Sequence, residues 1–467
     1  MEMAQKNAVY EKICKDALKY LKPDKEENLR NKNFSDLLLK VANQKLKQFG
    51  AKAMICGSVA KGTNLKGKNE MDLFLCFKTN IPKNKLGEFG LEIGKDIVEE
   101  FNGKVEIGYA EHPYVRGKIL YEKILYSVDI VPCFETPSDK IITSVDRTPH
   151  HVRYVIRRLK RHDDVRLLKA FLKSAGCYGA DVITQGFSGY LCELLIINYG
   201  SFMKLIKAAT QWKSCPVDLS RGKFGQKAPL IVLDPVDEKR NVAAAVSGKS
   251  LFKFVRAARD FLVSPSVAFF LPRQKLLYSK VSMLRTARAR GSRMFLLRFP
   301  RPEGIVDDVI YPQMCRTARR IKDILEENDF KAVMCESFVN TKECFIFIEF
   351  ENWHVSKVRR HYGPSIYDRH AAGFLSRYKE WKIGIENEKW FVDQEREFKS
   401  AEDLLKWLIS RDKEKLSELG IAPGLLDAFM KSELYYDAAF FNFLEASSDD
   451  LRAFLHGLFE EDLNIVA

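Results

Sequence analysis

The chain has 467 residues, with 76 Lys plus Arg against 62 Asp plus Glu and a formal net charge of +14. At roughly 150 residues per domain the length predicts about three domains. Hydrophobic residues at 46% and charged residues at 30% are the balance of folded protein, which excludes wholesale disorder and a collagen-like chain.

Val9, Ile13 and Ala17, then Phe34, Leu38 and Val41, mark two helices separated by Pro23, with Gly50 after the last turn. From Ala51 the texture changes. Ala51 to Cys56 reads as a short strand ending in Gly57-Ser58. Met71 to Phe77, Lys104 to Ala110 and Ile124 to Cys133 read as further strands, with helical spacing from Leu86 to Phe101. Strands and helix together predict an α/β unit.

From about 152 to 262 the pattern is helical. Val165 to Ser174 is one helix, and Gly189 to Trp212 is a long apolar one. Ser250 can N-cap a third, with Leu251, Val255, Ala258 and Leu262 on one face. Ser264-Pro265-Ser266 and Pro272 mark a boundary. Met294 to Phe299 is a strand, and Pro312 sits at a helix start. Phe330 to Cys335 and Cys344 to Phe350 are strands, and Trp353 to His361 reads as helical. The order β-α-β-β-α matches a ferredoxin-like layer. From about 395 the chain is helical and more acidic. The expected fold class is α+β and multidomain. It has an α/β domain over 1–151, a helical central domain over 152–264, body segments over 265–300 and 395–467, and a ferredoxin-like domain over 301–394.

No window offers the roughly 18 apolar residues of a membrane helix. The stretch Met1-Glu2-Met3-Ala4-Gln5-Lys6 lacks the apolar core of a signal peptide, so a cytoplasmic address and no membrane partner are expected. The 10 cysteines show no C-x-x-C pair and no grouping with His at zinc-ligand spacing, which predicts reduced, mostly buried thiols. The positive excess favours a polyanionic partner such as nucleic acid, although a basic protein without one has the same composition.

Three acids carry the chemistry. Glu70 and Asp72 lie two apart on a strand, so both face one side, with Met71 and Leu73 on the other. Asp129 is embedded in the apolar run Val128-Asp129-Ile130-Val131, where an acid is costly unless paired or hydrogen-bonded. If the two strands are neighbours, three carboxylates converge. Hard oxygen ligands suit Mg²⁺, and two such ions can clamp an in-line phosphoryl transfer. Taken singly, Glu70 and Asp72 read first as edge charges at a strand end, and Asp129 as a satisfied core acid; the segment before them shifts the balance. The preceding Gly57-Ser58-Val59-Ala60-Lys61-Gly62-Thr63 follows a strand directly. Its backbone N–H groups, the Ser58 hydroxyl and the Lys61 ammonium can hold triphosphate oxygens. It is not a Walker A loop, and Gly248-Lys249-Ser250 fails the same test because Ala243 stands where a glycine is needed.

Strand, Gly-Ser, acid-x-acid on a second strand and a lone acid on a later one resembles the polymerase-β-like nucleotidyltransferases over residues 51 to 134. Longer strings sharpen the likeness. Ala110-Glu111-His112-Pro113-Tyr114-Val115, Ser144-Val145-Asp146-Arg147-Thr148-Pro149, Gly186-Phe187-Ser188-Gly189-Tyr190-Leu191-Cys192-Glu193 and Asp234-Pro235-Val236-Asp237-Glu238-Lys239-Arg240-Asn241-Val242 resemble the archaeal, class I CCA-adding enzymes (tRNA nucleotidyltransferases). The resemblance implies a nucleotidyltransferase head, a helical neck, and a ferredoxin-like or RNA-recognition-motif-like tail that binds tRNA. It implies CTP and ATP as nucleotides, Mg²⁺ as cofactor, and Glu70, Asp72 and Asp129 as metal-binding catalytic acids. It also implies nucleotide contacts from Ser58, Lys61, His151, Lys169 and Tyr178, and a base-reading role for Arg240. The family usually has Arg where this chain has Lys61, which keeps the charge and loses the forked donor. Chemistry alone does not choose between His150 and His151, and an ion pair with Asp237 or Glu238 is an equal reading of Arg240. A poly(A) polymerase, an oligoadenylate synthetase-like transferase, or a non-catalytic RNA-binding protein on the same fold are the alternatives. Oligomeric state is left open, a homodimer included.

Overall fold

The computed structural model describes residues 2–109, 113–137, 140–212, 217–219, 228–272 and 276–459. Ala110-Glu111-His112 and Cys215 lie outside them. The chain divides into two compact units, residues 1–273 and 274–462.

The first unit opens with α1 (Glu2–Leu21) and α2 (Lys25–Leu46). Asp24 caps α2 by accepting from the Glu27 amide, and Gly50 closes the following turn at φ +58. The buried face of α1 is Tyr10, Cys14, Ala17 and Leu21, whereas Val9 is exposed. The predicted stripe is therefore rotated by one residue at its start. Strands β1 (Lys52–Ile55), β2 (Glu70–Phe77), β3 (Lys104–Tyr109), β4 (Pro113–Tyr121) and β5 (Ile124–Phe134) form one sheet in the order β1-β2-β5-β4-β3. Between β1 and β2 lies the single-turn α3 (Gly57–Ala60), and α4 (Lys83–Glu100) follows β2. β2 and β5 run parallel, and the other pairs are antiparallel. Strand alternation divides β2. Met71, Leu73, Leu75 and Phe77 join the core under α2 and α4, while Phe74 and Cys76 pack with Cys56, Cys133 and Val152 on the opposite side. Strand β4 was not expected. Its buried residues alternate, Val115, Gly117 and Ile119, and Arg116 and Lys118 stand between them.

The rest of this unit is helical, apart from two-residue strands β6 (Val217–Asp218) and β7 (Leu230–Ile231). Helices α5 (Arg147–Arg158), α6 (His162–Ser174), α7 (Gly189–Tyr199), α8 (Phe202–Ala209) and α9 (Gly248–Val263) surround an aromatic-rich core that includes Phe171, Phe202, Phe254 and Phe261. The expected single helix from Gly189 to Trp212 is two. Gly200 ends α7 in the left-handed region at φ +79, and the Ser201 side chain caps α8. Ser247, not Ser250, caps α9, and the Ser250 hydroxyl donates to the Thr184 carbonyl instead.

In the second unit, α10 (Lys280–Arg290) precedes β8 (Arg293–Pro300), α11 (Asp307–Glu327), β9 (Lys331–Val339) and β10 (Glu343–Asn352). Pro312 lies inside α11 rather than at its start, and Asp307 and Asp308 occupy the first turn. The expected helix over 353–361 is not formed. Val358 starts β11 (Val358–Ser365), which pairs with β13 (Lys389–Glu395), and β12 (Ile383–Glu386) pairs on the other edge of β13. The mainly helical segment beyond 395 contributes β14 (Glu433–Tyr436), giving an antiparallel sheet in the order β14-β8-β10-β9. That is the ferredoxin-like order, with strands drawn from both sides of the 358–395 sheet. The cysteines described are free thiols, Cys315 exposed, Cys335 half-buried and the others buried. Among the described residues no helix is long and apolar enough to cross a membrane.

Candidate active site

Parallel pairing of β2 with β5 sets Asp72 opposite Asp129 and Glu70 opposite Ser127. Period-two geometry puts all four on one face. Gly57 leaves β1 at φ +64, and a Cβ there would lie 1.7 Å from Asp72 Oδ2, so only glycine lets the α3 backbone meet this carboxylate. From the other side β4 sets Arg116 opposite Asp129. Arg116 Nε donates to Asp129 Oδ1 at 2.6 Å and Nη2 donates to Oδ2 at 2.8 Å, a forked pair. Ser58, Glu70, Asp72, Arg116, Lys118, Ser127 and Asp129 line one cavity of about 420 Å³. Burial, and then the charge of Asp129, raise the Asp72 carboxyl from 3.8 to about 6.

Glu70, at the strand end, is 68% exposed and lies 3.6 Å from Lys68. The expected convergence of three acids is thus met by Asp72 and Asp129, with Glu70 on the same cavity wall turned toward a cation. Among the described residues, no three Asp, Glu, His or Cys side chains gather closely enough to hold a metal ion. Asp72 and Asp129 repel each other, which helps to raise the Asp72 carboxyl. The all-oxygen donor set and the raised Asp72 fit a hard divalent cation, which would relieve that repulsion.

Beside this cavity a second cluster is built around Glu193 of α7. Lys61, just past α3, donates to Glu193 Oε2 at 2.6 Å, and the Thr63 hydroxyl donates to Oε1 at 2.7 Å. Lys169 of α6 donates to the Thr63 carbonyl at 3.1 Å and lies 3.7 Å from Glu193. All three charges are buried, and burial holds the Lys169 ammonium below its usual 10.5. Tyr178 stands at the same place. A Cβ on Gly189 would meet both the Tyr178 hydroxyl at 3.3 Å and Lys169 Cε at 3.6 Å. Burial raises the Tyr178 phenol as well.

A third cluster surrounds Asp234, which is fully buried in the loop after β7. Its Oδ2 accepts from His151 Nε2 at 2.8 Å and from Arg240 Nη1 at 2.8 Å. Its Oδ1 accepts from the Tyr190 hydroxyl at 3.1 Å and the Val236 amide at 3.0 Å. Tyr190 stacks on His151 with centroids 3.9 Å apart, and the Lys61 ammonium lies 5.9 Å from the Tyr190 ring. Tyr190 and Glu193, three apart on α7, therefore join the second and third clusters. His151 faces this site, whereas His150 bonds the Thr136 carbonyl at 2.8 Å. Arg240 takes Asp234 as its partner; Asp237 instead accepts from Arg147 at 2.9 Å.

Residues 163–271 match the family model described as the second domain of tRNA nucleotidyltransferase, and residues 290–417 match the C-terminal domain of the CCA-adding enzyme. The chain is 38% identical over 397 residues to the CCA-adding enzyme of Archaeoglobus fulgidus, covering 84% of this chain and 88% of that one. It is 37% identical over 429 residues to that of Methanocaldococcus jannaschii, covering 87% and 92%. The chain belongs to the CCA-adding enzyme family.

Four residues of this CCA-adding enzyme family member complete the clusters and were not singled out by sequence reasoning: Arg116, Tyr190, Glu193 and Asp234. Arg116 had a signal, the polar-apolar alternation of 113–121. Glu193 had another, since it is the one acid in the apolar stretch Leu191 to Tyr199. Tyr190 and Asp234 stand inside the matching strings without any local mark of their role.

Proposed function

We propose that this chain builds or repairs the 3′-terminal CCA of tRNA without a nucleic-acid template. It transfers CMP and AMP from CTP and ATP and releases pyrophosphate. The observation that carries the reading is Asp72 in register with Asp129, with buried Lys61 and Lys169 close beside. Asp72 and Asp129, with Glu70 on the same cavity wall, would hold Mg²⁺, which when bound would supply charge neutralisation and activation of the attacking oxygen. Arg116 orients Asp129 through its forked pair. Ser58, Lys61, Lys169 and Tyr178 bind the triphosphate and sugar side of the nucleotide, and Glu193 keeps the two ammonium groups together. His151 and Arg240 bind at the base end. A guanidinium offers donors only, so it pairs with the ring nitrogen that cytosine and adenine present and that uracil and guanine replace with N–H. The basic residues of the central and C-terminal parts grip the tRNA backbone, which fixes position rather than sequence.

The assay uses tRNA lacking its CCA end, Mg²⁺ and labelled nucleotides. CTP and ATP are incorporated, and UTP and GTP are excluded. Asp129→Ala abolishes incorporation and retains tRNA binding. Unlimited ATP addition without use of CTP, or tRNA binding with no incorporation by the unmodified chain, would refute the proposal.

A further inference from the structure

We infer that Asp234 is the positioning residue for nucleotide selection: it fixes the direction in which Arg240 presents its donors and the tautomer in which His151 stands. The inference rests on the reading of Arg240 as the base contact and deepens it.

The geometry around Asp234 is saturated. Four donors, from two helices and its own loop, use both carboxylate oxygens, and the residue is 0% exposed. A carboxylate so placed accepts nothing from a nucleotide, so it acts only through its partners. The loop that carries it is stiff. The Asp234 amide donates to the Arg240 carbonyl at 3.0 Å, and the Arg240 amide donates to the Asp237 carbonyl at 2.9 Å. The two ends of the salt bridge thus belong to one closed turn, braced by Arg147 on Asp237. The Arg240 side chain remains 38% exposed, so the guanidinium has one nitrogen anchored on buried Asp234 and donors left for a ligand.

His151 is set by the same oxygen. With Nε2 bonded to a carboxylate, that nitrogen carries the hydrogen, and Nδ1 of the neutral ring becomes an acceptor. Burial holds the His151 imidazolium below its usual 6.5, in keeping with the neutral ring. The stacked Tyr190 ring fixes the imidazole plane, and the Tyr190 hydroxyl bonds Asp234 in turn. One buried acid therefore holds a fixed set of donors on Arg240 and a fixed tautomer on His151, as recognition of an amino group beside a ring nitrogen requires.

Asp234→Asn keeps the volume and removes the charge and one acceptor. The ratio of kcat/KM for CTP to that for UTP, on tRNA lacking CCA, should fall about tenfold to a hundredfold, the worth of one hydrogen bond to a charged group. In histidine-labelled full-length protein, the ¹⁵N signals of the His151 imidazole should lose the Nε2-protonated pattern. Arg240→Ala is the parallel arm. If Arg240→Ala loses discrimination and Asp234→Asn keeps it, the inference about Asp234 fails and the base-reading role stands. If both keep it, the reading of Arg240 itself fails. Tyr190→Phe removes only the hydroxyl donor to Oδ1 and carries the test where Asp234→Asn does not fold. Its expected loss of discrimination is about twofold to tenfold, and an unchanged ratio overturns the inference.

Discussion

Glu193→Gln tests the buried charge cluster directly. In the folded chain Glu193 is 1% exposed, Lys61 is 9% exposed and lies 2.6 Å away, and Lys169 is 4% exposed and 3.7 Å away. With water excluded from all three, removing the single anion leaves two ammonium groups without a counter-charge. Breaking a buried pair in this way costs about 3–5 kcal/mol. Glutamine keeps one oxygen able to accept from Lys61 or Thr63, so the expected loss is at the lower end, about 3 kcal/mol. In a unit of this size that lowers Tm by about 6–12 °C.

The loss also has a pH signature. Lys169 already sits below its usual 10.5 because of burial, and Glu193 is the neighbour that pulls it back up. In Glu193→Gln it falls further, while lysine in the unfolded chain stays protonated to about 10.4. Between those two pH values the unfolded chain binds more protons, so the variant regains stability as pH rises. Urea unfolding of wild type and Glu193→Gln at pH 7 and pH 9.5 measures both effects. A difference under about 1 kcal/mol at pH 7, or a deficit that does not shrink at pH 9.5, would refute the reasoning.

Asp72 titrates near pH 6 instead of its usual 3.8. Its raised folded value favours the native state only while it is protonated, so stability falls as pH rises from about 4 to about 6, by up to about 3 kcal/mol. Asp72→Asn should remove that fall, which unfolding curves at pH 4 and pH 7 would show. Asp129→Asn should lower the Asp72 titration toward 3.8 without reaching it, because burial is the larger cause; carboxyl ¹³C NMR reads this out. Gly57→Ala places a Cβ 1.7 Å from Asp72 Oδ2 and should cut CMP incorporation by about a hundredfold or more through displacement of the carboxylate, with tRNA affinity unchanged by filter binding. Lys61→Arg puts a larger side chain into a site already closed on Glu193; overpacking should lower Tm, at a cost of about 1–3 kcal/mol.

Much of this molecule was legible in the residue order because the relevant signals are local. Short apolar runs marked β2 and β5, and Pro23 and Gly50 delimited the two N-terminal helices. The spacing of Glu70 and Asp72 and the lone Asp129 singled out three acids that line one cavity. Local signals failed where a nearby residue could serve two purposes. Gly200-Ser201 broke an apolar run that reads as one helix, and the segment from Val358 took a partner 37 positions away at Glu395 and became a strand. The sequence by itself determined the acids, the Gly-Ser turn and the family strings, since each depends on neighbours along the chain. Only tertiary structure decided which charges meet. Lys61 and Glu193 are separated by 132 positions, and His151 and Asp234 by 83. It set His151 against Asp234 and His150 against the Thr136 carbonyl, gave Arg240 to Asp234 rather than Asp237, turned Glu70 toward Lys68, and brought β14 to complete a sheet begun at β8. Such choices follow from burial and charge in three dimensions. A buried ion needs a counter-charge within a few ångströms, and no spacing rule says from which part of the chain that partner comes.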